Sequence, residues 1–225
     1  MSNLVINPEL LPSSLTLSGE NEMKFFLSTP IKSKEAKTEI ILEENATLDF
    51  TLVDFARTDF DYSLNISLKR GARVILSLAS LGFEDTAKVF HFNVSHEEGN
   101  TYSRVSMNGI NNKNGVLKFL GNSLIVNGAH KSDTRQEGKI TNLSIDCKSE
   151  VSPALLIKEN DVNASHGAAL GAYNPDELFY LMSRGLSLDE SKKLITFGTL
   201  LPVLEKLGDQ DIIEKAKASL QELTL

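Results

Sequence analysis

The amino-acid sequence predicts a mainly β chain that ends in a small helical module. Apolar residues alternate with polar or small ones from about residue 46 to residue 157, as they do along half-buried strands. Clusters of Gly, Asn and Asp separate these segments and favour turns. Helix-start signals follow only at Asn174, so the predicted helices are confined to the C-terminal part of the chain.

The clearest predicted strands carry apolar residues two positions apart: Leu48, Phe50 and Leu52; Leu64, Ile66 and Leu68; and Phe90, Phe92 and Val94. The turn clusters between such strands include "KRGAR", "HEEGN", "NGINNKNG" and "NGAHKSD". Polar or glycine corners recur at roughly 22 to 29 residues, a spacing typical of stacked β-coils that cover one another's apolar faces. A jelly roll or another β-sandwich shows similar alternation, so the pattern alone leaves both architectures open.

Capping signals predict where the C-terminal helices begin. Asn174 precedes a proline and two acidic residues, which suits the N-cap and first turn of a helix. Ser187 and Glu190 form a capping box for a second helix, which we expect Gly198 and Pro202 to interrupt or bend. A third helix is predicted from about residue 211, with apolar residues at helical spacing: Ile212, Ala216, Leu220 and Leu223.

Composition excludes several classes of protein. The chain has 225 residues, of which 41% are hydrophobic, enough for a substantial core. Its 23 basic and 30 acidic residues provide no positive field for nucleic acid. A single cysteine excludes a disulfide framework within the chain, and the sequence shows neither a secretory leader nor a membrane-spanning run. We therefore expect a cytoplasmic protein without a membrane segment. The sequence has no P-loop, nucleophile elbow or dinucleotide fingerprint.

The stretch Gly128–Gly198 carries two runs in tandem, "SP.L.I..NDV.ASHGA..G" and "D.LFYL.SRG....E...L...G". Together they resemble the C-terminal core of the SufB/SufD family of the SUF iron-sulfur cluster assembly system. Gly167 makes the chain closest to a shortened SufD-like protein. The resemblance implies a right-handed parallel β-helix followed by a small α-helical module. On this basis residues 1–40 lead into the core, residues 41–172 form the β-helix, and residues 173–225 form the helical module.

The resemblance also implies a function. Members of this family act as non-enzymatic scaffold subunits of a SUF assembly complex, so the C-terminal helices are expected to bind a SufC-type ABC ATPase. The β-helix is expected to pair with a SufB/SufD-type protomer, as a homodimer or a heterodimer. Aromatic and methionine side chains are favoured at the centres of interfaces. The predicted ATPase-docking residues are Leu178, Phe179, Tyr180, Met182, Leu186, Leu194 and Phe197.

Two residues are candidates for a cluster-related or interface role. By resemblance, His166 in "SHGA" lies at the protomer interface, and a neutral imidazole can ligate iron. Because one cysteine cannot hold a cluster alone, any iron-sulfur cluster would be transient, with ligands such as His166 shared across a dimer. The alternative is that His166 caps the strand-to-helix junction through hydrogen bonds. Cys147 has a thiolate's capacity to carry sulfur or bind iron, and its alternative is a half-buried strand residue.

The remaining candidates have simpler interpretations. A solvated strand end is expected for His91, His96, Glu97 and Glu98, whose spacing matches no zinc motif. A surface hydrogen-bond cluster is expected for His130, Asp133 and Arg135, with a protomer interface as the alternative. The alternative function is a carbohydrate-binding or carbohydrate-active β-helix protein, for which Asp59 and Asp61 offer paired carboxylates.

Overall fold

The computed structural model describes residues 2–5, 13–29 and 34–221. These residues contain thirteen β-strands followed by three α-helices. The strands are β1 (Ser2–Val5), β2 (Ser14–Leu17), β3 (Glu20–Leu27), β4 (Glu35–Leu42), β5 (Thr47–Asp54), β6 (Phe60–Leu68), β7 (Arg73–Gly82), β8 (Ala87–His96), β9 (Tyr102–Asn111), β10 (Val116–Ile125), β11 (Ser132–Asn142), β12 (Lys148–Ile157) and β13 (Val162–Gly171). The helices are α1 (Pro175–Ser183), α2 (Leu188–Leu204) and α3 (Gln210–Gln221), with a 3-10 turn, Glu205–Leu207, before α3.

The strands form two sheets between which the chain alternates. Odd-numbered strands make a seven-stranded sheet and even-numbered strands make a six-stranded sheet, and all neighbouring strands are parallel. Thr47 pairs with Arg73, and Arg73 pairs with Tyr102, so these coils are 26 and 29 residues apart. This topology confirms the parallel β-helix and excludes an antiparallel sandwich. Strands β2 and β3, which precede residue 41, already belong to these sheets.

In strands such as β6 and β8, alternate residues point into the space between the sheets. In β6, burial alternates along the whole strand, and Phe60, Tyr62 and Leu64 are at most 1% exposed. Aromatic rings of neighbouring coils contact one another, with the Phe50 ring centroid 5.1 Å from that of Phe25 and the two ring planes tilted by 39°. Burying an aliphatic or aromatic side chain contributes about 1.5–3 kcal/mol. The period-two pattern of the sequence therefore corresponds to one continuous interior.

The corners between strands lie at the predicted turn clusters. Gly71, Asn100 and Lys113 have positive φ angles of 70°, 63° and 52°. Gly71 is required for a second reason, because a Cβ atom at this position would lie 2.2 Å from Oδ1 of Asn45 in the preceding coil. The turn residues thus allow the coils to stack closely at their corners.

The helix caps agree with the sequence. Oδ1 of Asn174 accepts a hydrogen bond from the N–H of Asp176, and both hydrogen bonds of the Ser187 capping box are present. The expected interruption of the second helix is wrong, since α2 continues through Gly198 and Pro202 to Leu204. Pro202 lies in the last turn, where its missing N–H removes only one hydrogen bond near the helix end. The predicted apolar position Leu223 lies outside the described residues.

The helices pack on the outer face of the seven-stranded sheet. Side chains of α2 and α3 share a buried cluster with outward-facing residues of β5 and β7, including Leu200, Leu204, Ile213, Val53 and Ala79. Lys206 donates a hydrogen bond from Nζ to Oγ of Ser77 at 2.8 Å. None of the helices in residues 34–221 has the length and apolar character needed to cross a bilayer.

Candidate functional site at the open end of the β-helix

The last coil of the β-helix consists of two edge strands. Strand β12 pairs with β10 and β13 pairs with β11, and no other described strand pairs with either of them. One backbone edge of each strand is therefore free to pair with another polypeptide. We call this surface, formed by β12 and β13, the end face.

The end face exposes residue types that occupy the interior of the other coils. In parallel strands, paired residues point to the same side of the sheet. Ile157 pairs with the buried Ile125, and Leu170 pairs with the buried Ile140, so both point inward. They are nevertheless 45% and 50% exposed, because no further coil among the described residues covers them.

His166 lies in the middle of β13 on the same inward-facing side. It pairs with Gln136 of β11, which is fully buried, whereas His166 itself is exposed. Within the described part of the chain, no hydrogen bond or ion pair engages the imidazole, so it does not cap the strand-to-helix junction. The structure therefore places a free imidazole at the centre of the end face.

Cys147 is not close to His166. Its thiol lies half-buried in the corner before β12 and donates a hydrogen bond to the carbonyl of Asn111 at 3.2 Å. Asn111 pairs with Asn142, six residues beyond the partner of His166 in β11. At about 3.3 Å per residue, some 20 Å of strand separates the two positions.

The prediction of a solvated strand end is wrong for His96. Its side chain is fully buried between the sheets. Its Nδ1 and Nε2 lie 2.7 and 2.9 Å from the hydroxyl oxygens of Thr101 and Ser103. Burial lowers the pKa of His96 to about 4, against a smaller opposing effect of the Asp133 carboxylate. The alternation itself contained the signal, because His96 continues the inward-facing series Phe90, Phe92 and Val94.

Hydroxyl groups continue this polar interior towards the end face. Oγ of Ser103 is 2.7 Å from Oγ1 of Thr134, which is 3.0 Å from Oγ of Ser123. Ser123 also contacts the side-chain amide of Gln136, the buried neighbour of His166. A connected polar network thus runs from His96 to the residue directly beneath the end face. No local sequence pattern indicates this network, because its members come from different strands.

The other candidate polar residues do not form joint sites. His91 lies 3.5 Å from Asp61, and Asp59 is bound by Lys34 at 2.8 Å. The expected cluster of His130, Asp133 and Arg135 is absent, because each has a different partner: Glu159, Arg104 and Glu137 respectively. No group of three or more His, Cys, Asp or Glu side chains among the described residues could hold a metal ion.

The predicted docking residues on the helices divide into exposed and packed side chains. Phe179, Tyr180 and Met182 of α1 are 76%, 56% and 45% exposed, and Leu194 of α2 is 51% exposed. Leu178 and Leu186 are half-buried, and Phe197 packs against the cluster beneath the helices. We call the exposed set the helical patch: Phe179, Tyr180, Met182 and Leu194.

A family model described as "SUF system FeS cluster assembly, SufBD core domain" matches residues 32–199. The chain belongs to the SufB/SufD family. It is 40% identical over 101 residues to the iron-sulfur cluster assembly protein SufD of Bacillus subtilis, covering 42% of this chain and 23% of that protein. It is 28% identical over 183 residues to SufB of the same organism, covering 77% of this chain and 38% of SufB. A SufBD family protein of Mycobacterium leprae is 32% identical over 146 residues, which cover 62% of this chain and 16% of that protein.

The chain spans less than two-fifths of the length of each of these relatives. Within this SufB/SufD family member, the tandem runs that carry the resemblance fall on the last coil and on the first two helices. These are the elements that form the end face and the helical patch.

Proposed function

We propose that the chain is a non-enzymatic scaffold subunit of a SUF-type iron-sulfur cluster assembly complex in the cytoplasm. In this proposal the end face pairs with a SufB/SufD-type protomer, and the helical patch binds a SufC-type ABC ATPase. The observation that carries the proposal is the uncovered last coil, which exposes interior-type side chains around His166. The names of its relatives, which are cluster assembly proteins, support the assignment to this system.

The end face suits another β-helix end. The free edges of β12 and β13 can continue both sheets into a second protomer, which would supply the missing backbone hydrogen bonds. Leu170 would then be buried at the junction. We expect Leu170→Asp to abolish a dimer, seen by light scattering for this chain alone or after coexpression with a SufB-type protein. Ile75→Asp, which changes an exposed apolar residue of β7, is the matched control. Equal association of both variants would contradict the proposed pairing.

The helical patch suits a partner with a hydrophobic groove. Phe179 contributes little to the fold because most of its surface is in solvent. We therefore expect Phe179→Asp to weaken copurification with a SufC-type ATPase at least about tenfold without loss of helicity. Ile145→Asp, at a 98% exposed position in the β11–β12 corner, controls for charge on an exposed apolar residue. ATPase binding that survives Phe179→Asp would rule out this docking surface.

His166 is proposed to act on a transient cluster held between protomers. Two roles are open to its imidazole, namely iron ligation through a nitrogen lone pair and hydrogen-bond donation through N–H. Anaerobic reconstitution with both partners should give less bound iron and sulfide for His166→Ala than for His130→Ala, whose exposed imidazole lies outside the end face. Equal contents would remove His166 from the mechanism. Cys147→Ser tests the second candidate, and we expect no effect because its thiol is distant and already hydrogen-bonded.

A further inference from the structure

The two edge strands of the end face differ in how they are protected against pairing. Charged side chains and proline are the residues that blunt the edges of natural sheets. Strand β12 carries both kinds, namely Lys148, Glu150 and Pro153, and Glu150 forms an ion pair with Lys118 at 2.9 Å. Strand β13, "VNASHGAALG", contains no charged residue and no proline. Its edge therefore lacks the residues that prevent the addition of another strand.

The backbone hydrogen bonds show which residues of β12 face its free edge. In a parallel ladder a residue bonds to the neighbours of its partner, as Lys148, the partner of Val116, donates to the carbonyl of Gly115 at 2.9 Å. Successive residues of a strand bond to opposite sides. Lys158 also donates towards β10, so the odd-numbered residues of β12, including Pro153, face the free edge. The missing N–H of Pro153 thus interrupts the row of donors on that edge.

The free edge of β13 has no such gap. Asp133 of β11 donates to the carbonyl of Thr101, which precedes β9, so the even-numbered residues of β11 bond to β13. Gln136 is one of them, and its backbone bonds go to the residues on either side of His166. The backbone N–H and C=O of His166 therefore face the free edge. The other residues of β13 with this orientation all have an N–H group: Val162, Ala164, Ala168 and Leu170.

We propose that β13 forms a continuous antiparallel ladder with β13 of a second copy of this chain, and that the two-fold axis passes through His166. The inference rests on the proposed pairing of the end face and narrows it to one strand. A second copy fits because β13 is uncharged and its inward-facing row is self-complementary. Leu170 lies opposite Val162 of the partner subunit. Ala164 lies opposite Ala168 of the partner subunit, so apolar residues meet apolar residues across the junction.

The register follows from the length of the free edge. A two-fold axis perpendicular to the sheet makes the paired strands antiparallel, and residues that face the free edges then hydrogen-bond to one another. With the axis at His166, every free-edge residue from Val162 to Leu170 has a partner within the strand. Moving the axis by one residue leaves either Val162 or Leu170 opposite a residue outside the strand. The full ladder therefore places the two His166 residues directly opposite each other, with Cα atoms about 5.5 Å apart.

Cross-linking through single cysteines tests this register in the full chain. All variants carry Cys147→Ser, which removes the chain's own thiol. His166→Cys should form a disulfide-linked dimer under mild oxidation, because Cα atoms about 5.5 Å apart suit a disulfide. Ala168→Cys is the matched control. Its two copies lie about 13 Å apart along the strand, so at least about tenfold less linked dimer is expected on a non-reducing gel. Equal linkage of both variants, or none in His166→Cys, would overturn the proposed axis.

Proline substitution tests the backbone ladder without a thiol. Ala168→Pro removes one free-edge N–H of β13 and no hydrogen bond to β11, so light scattering should show at least about tenfold weaker dimerisation. Pro153→Ala, which adds an N–H to β12, should leave the dimer intact. Full dimerisation of Ala168→Pro, or a wild-type chain that stays monomeric, would overturn the proposal. In the second case, association with a coexpressed SufB-type protein would retain the proposed function and reject self-pairing alone.

Discussion

The buried imidazole of His96 makes the stability of the β-helix depend on pH. The unfolded chain has the ordinary histidine pKa of 6.5, whereas burial lowers the pKa in the folded protein to about 4. Between these values the unfolded state binds more protons than the folded state, so the free energy of unfolding falls as the pH decreases. The contribution of His96 is fully present above about pH 7 and is lost progressively down to about pH 4. Between pH 7 and pH 4.5 the loss amounts to about 2.5 kcal/mol.

The hydrogen bonds of His96 explain why its protonation is unfavourable. Ser132 donates to the carbonyl of Ala129 at 2.8 Å, so it accepts from Thr101, which in turn accepts from Nδ1–H of His96. Nε2 then accepts from the hydroxyl of Ser103. A proton added at Nε2 would face the hydroxyl hydrogen of Ser103, which must turn away. Protonation therefore adds a buried charge and disturbs an existing hydrogen bond.

Urea denaturation followed by far-UV circular dichroism measures this effect at pH 7 and pH 4.5. His96→Gln is the comparison variant, because its amide can donate and accept hydrogen bonds but does not titrate in this range. Carboxylates titrate in both proteins and cancel in the difference. We expect wild type to lose about 2.5 kcal/mol more than His96→Gln on acidification. Losses that agree within about 0.5 kcal/mol would refute the assignment of a buried neutral imidazole.

Three further predictions concern stability, measured in the same urea titrations at neutral pH. The Asp54 carboxylate is fully buried and lies 2.7 Å from Nζ of Lys88. Lys88→Met removes this counter-ion, so the free energy of unfolding should fall by about 3–5 kcal/mol. A loss below about 1 kcal/mol would show that the pair is solvated. Gly82→Ala places a Cβ atom 2.2 Å from Oδ1 of Asn111 and should lower the free energy of unfolding by about 1–3 kcal/mol. An unchanged free energy of unfolding would contradict this packing. Ser187→Ala removes the capping box of α2 and should lower stability by about 1 kcal/mol, and an unchanged midpoint would argue against the cap.

Local patterns in the sequence are sufficient to predict the strands and helices but not to predict which strands pair. The alternation in Leu64, Ile66 and Leu68 depends only on which side chains are buried, and the structure confirms it. The caps at Asn174 and Ser187 depend on side-chain contacts within one helical turn, and both are present. The choice between a sandwich and a β-helix depends on hydrogen bonds between distant segments. Local alternation does not contain that information, which came from the tandem family runs instead.

The candidate site was predictable only where it depends on residue identity. His166 was selected by resemblance, but its exposure follows from the position of β13 at the edge of its sheet. The polar residues of "HEEG" predict a solvated strand end, which is wrong for His96. Its place in the inward-facing series of β8 outweighed its polarity, since Thr101 and Ser103 satisfy both ring nitrogens. These partners, Thr101 just before β9 and Ser103 within it, have no signature in the strand that carries His96.

The composition of the interior argues that the end face is built for association. A β-helix that ends in water must cover its last inward-facing row with a cap or with polar side chains, because exposed apolar rows and free strand edges promote uncontrolled pairing. Here the last row keeps Leu170 and Ile157 exposed, and no described element covers them. The row beneath is polar at Gln136, whose side-chain amide is hydrogen-bonded to Ser123 within the fold. A surface that combines exposed apolar side chains with free strand edges around His166 matches a defined protein partner better than it matches solvent.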